Sequence, residues 1–198
     1  MKHNSAVILT ILRAYPKAIR WVRDTIEEHR PRSIGLNPAD LPRLFQSVDH
    51  EILEATRLVC VEHMPRPPLE AWNLHALDDF AFMNAAGLTL DNFVFVRPGL
   101  ETDASLMFHE LVHVAQWRAL GRARFLALYG VSLLRRGYDA NPLEVMAHDL
   151  QARFDRGDVD FNFEAIVQRR TQEFAAQFRR ENRQNRIVDI VARLFSAA

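Results

Sequence analysis

The chain has 198 residues, 48% of them apolar and 25% charged, which is the range of a globular protein with a real core and excludes disorder over most of its length. Its 25 basic and 25 acidic side chains cancel, so no global field draws it to nucleic acid or to an anionic membrane. The one cysteine, Cys60, excludes an intramolecular disulfide and a cysteine-based zinc knuckle; in Leu58-Val59-Cys60-Val61 it reads as a buried small apolar residue.

The elements follow in chain order. The apolar run Ala6 to Leu12 is short, ends at Arg13 and leads to no clean small-x-small cleavage site, so no signal peptide is expected there. No stretch approaches the roughly 20 apolar residues of a membrane span, and the expectation is a cytoplasmic protein. Residues 5–30 have helical periodicity through Val7, Ile11, Ile19, Val22 and Ile26, with Pro16 placed to kink or split the helix. Pro42 is placed to open a second helix, with Asp40 as candidate cap, and residues 43–63 continue in helical spacing. Pro65-Arg66-Pro67-Pro68 is a stiff connector, the expected boundary between an N-terminal helical layer (1–64) and a core (69–155) within a single domain.

Residues 69–86 are ambiguous, with a helix expected over Leu74 to Ala85. Asn92 to Arg97 is the one clear strand, aromatic and β-branched and stopped by Pro98-Gly99. A lone strand leaves its backbone groups unpaired, so a partner is expected near 71–75 or 88–91. A helix follows, with Thr102, Asp103 and Ser105 as capping candidates and Gly121 after its last turn. Others are expected over about 122–136, from Asn141-Pro142 to about Phe154, and in an amphipathic segment over 161–196. The fold class is mainly α, of the α+β kind, with a small sheet or hairpin ahead of the central helix. Arg169 to Arg193 carries seven arginines against three acidic residues, and reads as a solvated helix face.

The chemistry lies in His109-Glu110-Leu111-Val112-His113. Two histidines at i and i+4 stand one above the other on a helix and can reach one ion. The neighbouring Glu110 can hold a water whose pKa the metal lowers and take its proton, which is the logic of H-E-x-x-H as a zinc site with a general base. Two histidines leave the ion incomplete, and Glu144, His148, Asp149 and Asp139 are the downstream candidates for a third ligand.

H-E-x-x-H followed about thirty residues later by Glu144-Val145-Met146-Ala147, read E-x-x-A, resembles the gluzincin metallopeptidases. The stretch Leu106 to Gln116 is also similar to bacterial metallopeptidase-like domains of unknown function whose zinc helix reads H-E-L-x-H-x-x-Q. The resemblance spans about residues 90–155. It implies a zincin-like core, a zinc ion on His109, His113 and Glu144, and Glu110 as general base. His148 stays open as the alternative third ligand. Many gluzincins have Asp four residues after the ligand Glu, orienting a zinc-bound His; His148 stands there instead, with Asp149 next as a substitute. Tyr138 or His148 is a candidate to stabilise an oxyanion, and Gln116 to touch the site. In the families resembled, an edge strand before the zinc helix pairs with an extended peptide; here the strand beginning at Phe93 either serves so or only covers the core.

The resemblance implies a zinc-dependent peptidase acting on a peptide or protein substrate. The alternative is a zinc-binding regulatory module whose cleft is covered by the terminal helices. No nucleic-acid partner is expected, and the oligomeric state is not specified by the sequence.

Overall fold

The computed structural model describes residues 2–74, 85–158 and 162–182. Its first helix, α1 (Lys2–His29), runs through Pro16 without a break. Tyr15, Val22 and Ile26 are buried along it at spacings of seven and four, which is one helical face.

The single helix expected over 43–63 does not form. Two short helices, α2 (Pro42–Ser47) and α3 (His50–Ala55), are followed by a strand, β1 (Arg57–Cys60). Val48 and Thr56, both β-branched, are extended and end the two helices. The Thr56 hydroxyl donates back to the Ile52 carbonyl at 2.7 Å and closes the last turn. Pro42 is at the start of α2 as expected, but Leu41 is the N-cap and no side chain caps it, so Asp40 does not.

Strands β2 (Gly87–Leu90) and β3 (Phe93–Val96) complete a sheet of order β1-β3-β2. β3 pairs parallel with β1 and antiparallel with β2, with Phe93 opposite both Arg57 and Leu90. β3 is therefore the central strand, so of its two readings the core-covering one holds and the edge-strand one does not; β2 is at the edge. All four β3 residues are buried, because both faces are covered: Val94 and Val96 pack into one cluster, Phe93 and Phe95 into the other. The expected partner near 88–91 is thus present. The helix expected over Leu74 to Ala85 falls largely outside the described residues. Cys60 is exposed rather than buried, since β1 turns Leu58 and Val59 inward and leaves its two ends outside.

Helix α4 (Ala104–Arg136) is capped by Asp103, whose carboxylate accepts from the Ser105 and Leu106 amides at 3.0 Å each. Gly121 leaves the helical path, with φ of 72°, and divides α4 into two segments at a bend. Helix α5 (Pro142–Asp155) has Asn141 as cap and Pro142 as first helical residue. Helix α6 (Phe163–Asn182) covers the first part of the expected C-terminal segment, and the rest lies outside the described residues.

α4 packs against α1, α5, α6 and β2. Leu44, Ile52, Val94, Phe108, Leu150 and Phe163 belong to one buried cluster, so residues on both sides of the Pro65–Pro68 connector share a core. Phe108 stacks on Phe154 at 4.4 Å between ring centroids and meets Phe163 edge-on at 5.4 Å. This clamp holds α4, α5 and α6 together beside the histidines. The fold is mainly helical with a small sheet before the long helix, as expected. Among the described residues no helix is long and apolar enough to cross a membrane.

Candidate metal centre

His109 and His113 are one turn apart on the first segment of α4, and both are buried. Glu144 is in the first turn of α5, where Asn141 and Pro142 start the helix. The small Ala147, fully buried one turn on, presents no bulk on this helix beside the histidines. These two helices bring three ligand atoms together. The Nε2 atoms of His109 and His113 are 3.1 Å apart. Glu144 Oε2 lies 3.5 Å from His109 Nε2 and 3.4 Å from His113 Nε2.

Ligand atoms in a tetrahedral zinc site, at about 2.0–2.1 Å from the ion, are about 3.3 Å from one another. The three atoms have that spacing. Glu144 Oε2 is moreover buried, and its contacts with the two imidazoles are long and poorly aligned for hydrogen bonds, an arrangement that a cation on the shared side of the three atoms improves. The donor set of two imidazoles and a carboxylate suits zinc, so the residues present fit the ion.

His109, Glu144 and His148 form a second grouping, with ligand atoms within 4.8 Å of one another. His148 is exposed, with its ring 4.6 Å from that of His109. The set with His113 is the more buried of the two, and His148 stands at its solvent side.

The outer imidazole nitrogens have partners of their own. His113 Nδ1 is 2.9 Å from Gln116 Oε1, and His109 Nδ1 is 3.1 Å from Gln151 Oε1. Asp149 does not take this role: its carboxylate accepts from Arg170 at 2.6 Å. Gln116 touches the site as anticipated, whereas Gln151 was not anticipated. Its signal was present, since seven residues beyond Glu144 is the same helix face two turns on.

Glu144 Oε1 accepts from the Tyr129 hydroxyl at 2.7 Å. Burial pushes the Glu144 carboxyl up, but the charge on His113, the close imidazoles of His109 and His113 and the Tyr129 hydrogen bond outweigh it and hold the group well below the usual carboxylate range. Burial acts to lower His113, and the Glu144 carboxylate overrides it, raising that imidazole to about 9. Tyr138 also hydrogen-bonds Glu144; burial first and then that carboxylate raise its hydroxyl pKa. No sequence signal marks Tyr129, which reaches Glu144 only because α4 bends at Gly121.

Glu110 is buried beside the histidines, and its Oε2 accepts from the Thr89 hydroxyl of β2 at 2.6 Å. Gly87, two residues earlier in β2, leaves the space its carboxylate needs, since a β-carbon there would collide with it. The edge strand thus lies directly against Glu110. A cavity of about 410 Å³ reaches His109, Glu110, His113 and Glu144 at one end and Trp21, Leu69, Trp72 and Leu133 elsewhere on its wall.

No protein-family model, curated protein or solved structure matches the chain.

Proposed function

We propose that the protein is a zinc-dependent hydrolase that cleaves peptide bonds, with zinc on His109, His113 and Glu144 and Glu110 as general base. The observation that carries this reading is the convergence of two imidazole nitrogens and an otherwise unpartnered buried carboxylate oxygen at tetrahedral spacing. Bound zinc would supply a Lewis acid that polarises a carbonyl and acidifies water.

The chain's own residues do the rest. Glu110 holds a water and takes its proton, and Thr89 fixes one carboxylate oxygen so that the other is left for that task. His148, exposed with its ring 4.6 Å from that of His109, is the candidate donor to a developing oxyanion, whereas Tyr138 gives its hydroxyl proton to Glu144 and would have to leave it to serve there. β2 has a strand on one side only among the described residues, so its other side supports an extended peptide as an added strand.

The burial of all four site residues favours a second reading, a zinc-binding module without turnover, with α1 covering the cleft. The cavity that leads to Glu110 speaks for the first. Glu110→Gln separates them. On the first reading this variant keeps its zinc and loses peptide hydrolysis that the native protein performs. A native protein that binds zinc but cleaves no member of a mixed peptide library supports the second, and full activity in the variant removes Glu110 from the mechanism.

A further inference from the structure

Both ligand histidines face a glutamine on the side away from Glu144, and each glutamine has a second partner that settles which way its amide points. Gln116 Nε2 lies 3.0 Å from the Leu143 carbonyl oxygen, which can only accept. The amide nitrogen must therefore be on that side, and the oxygen faces His113 Nδ1. Gln151 Nε2 lies 3.0 Å from the Ser105 hydroxyl, which spends its only proton on Asp155 Oδ2 at 2.9 Å. That hydroxyl can then only accept from Gln151, so the Gln151 oxygen faces His109 Nδ1. An amide oxygen beside Nδ1 requires a proton on Nδ1. Each chain of hydrogen bonds thus starts at an obligate acceptor, Leu143 or Asp155, and ends by leaving Nε2 as the nitrogen free to bind an ion.

We propose that Gln116 and Gln151 are positioning residues that lock both imidazoles in the form that binds metal through Nε2, with Asp155 acting on His109 through Ser105. This rests on the zinc-site reading above and extends it. Of the proposed ligands only Glu144 carries a charge, and both outer partners are neutral amides. The outer partners supply geometry without adding negative charge, unlike the carboxylates that often hold a zinc-bound His. Gln151 also ties the site to two helix ends, since Ser105 is in the first turn of α4 and Asp155 is the last residue of α5.

The test combines zinc affinity, by competition with a chelator, and the imidazole N–H signals of the full-length 15N-labelled protein. Gln151→Leu and Gln116→Met each lower zinc affinity about 10- to 100-fold. Gln151→Glu keeps an acceptor for His109 and retains affinity within a few-fold. Ser105→Ala frees the Gln151 amide to turn and lowers affinity by a smaller factor, with little change in melting temperature. In the native protein both rings carry a proton on Nδ1, and Gln151→Leu loses the protected Nδ1–H signal of His109 alone. Unchanged affinity in both Gln151→Leu and Gln116→Met, or a native ring with no proton on Nδ1, overturns the proposal. Should the native protein take up no zinc, the metal reading fails. The Nδ1–H signal of His109 in the metal-free protein then decides this inference: present in the native protein and lost in Gln151→Leu upholds it, absent in the native protein or kept in the variant overturns it.

Discussion

The Thr89 hydroxyl on the edge strand donates to the Glu110 carboxylate on the long helix at 2.6 Å, joining the element suited to bind a peptide to the group suited to act on water. Thr89→Val keeps the β-branched shape of the strand and removes that donor. The variant is expected to hold zinc at the native stoichiometry and to lose about tenfold or more in kcat, part of the 10²–10⁴ that a positioned base supplies. Steady-state kinetics on a peptide the native protein cleaves, with metal analysis of the same sample, check this. Native kcat in the variant removes Thr89 from the machinery.

Gly87 is the complementary case. Its substitution by alanine puts a β-carbon into the Glu110 carboxylate, so either the strand or the glutamate must shift. Overpacking of this kind costs about 1–3 kcal/mol. Denaturant unfolding of Gly87→Ala measures it, and a variant as stable as the native protein would mean that Glu110 moves aside freely.

Tyr129 donates to a carboxylate that is buried against two imidazoles. Tyr129→Phe leaves Glu144 Oε1 short of that donor inside the protein, at a cost of about 1–3 kcal/mol. The loss is expected in the melting transition and in weaker zinc retention together. A variant with native stability and native affinity would show that the bond contributes nothing.

Phe108 is fully buried between the rings of Phe154 and Phe163. Phe108→Ala opens a cavity where α4, α5 and α6 meet, with an expected cost of about 3–5 kcal/mol. Because His109 is the next residue, zinc affinity should fall with stability. Unfolding curves with and without zinc separate the two effects, and a cost below about 1 kcal/mol would show that the clamp does not hold the helices.

The pH dependence of the metal-free protein follows from His113. Its folded pKa of about 9 exceeds the ordinary 6.5, so the proton contributes stability that is complete below 6.5 and is lost as pH rises through about 9. Melting temperature of the metal-free protein should fall over that window. The zinc-loaded protein, with no proton on the ligating nitrogen, should show a weaker dependence. A metal-free melting temperature that rises between those two values would contradict the Glu144–His113 pairing.

Much of the site was legible in the sequence because its parts are local. H-E-x-x-H needs only a helix to align His109 with His113, and Asn141-Pro142 announces the helix that carries Glu144. What the sequence did not disclose depends on which elements touch. The segment around Leu58 reads as helix from its spacing, and pairing with Phe93–Val96 makes it a strand instead. The same pairing puts Phe93–Val96 at the centre and Gly87–Leu90 beside Glu110. Thr89 and Tyr129 have no periodic relation to the motif; sheet order places one and the bend at Gly121 the other.

The central claim is that His109, His113 and Glu144 hold a zinc ion, and metal content tests it most directly. Native protein, purified without chelator, is to be compared by elemental analysis with His109→Ala and Glu144→Ala. About one zinc per native chain, lost in His109→Ala and strongly reduced in Glu144→Ala, is the predicted result. A native protein that takes up no zinc even after incubation with it, or a His109→Ala variant that keeps its zinc, would contradict the account.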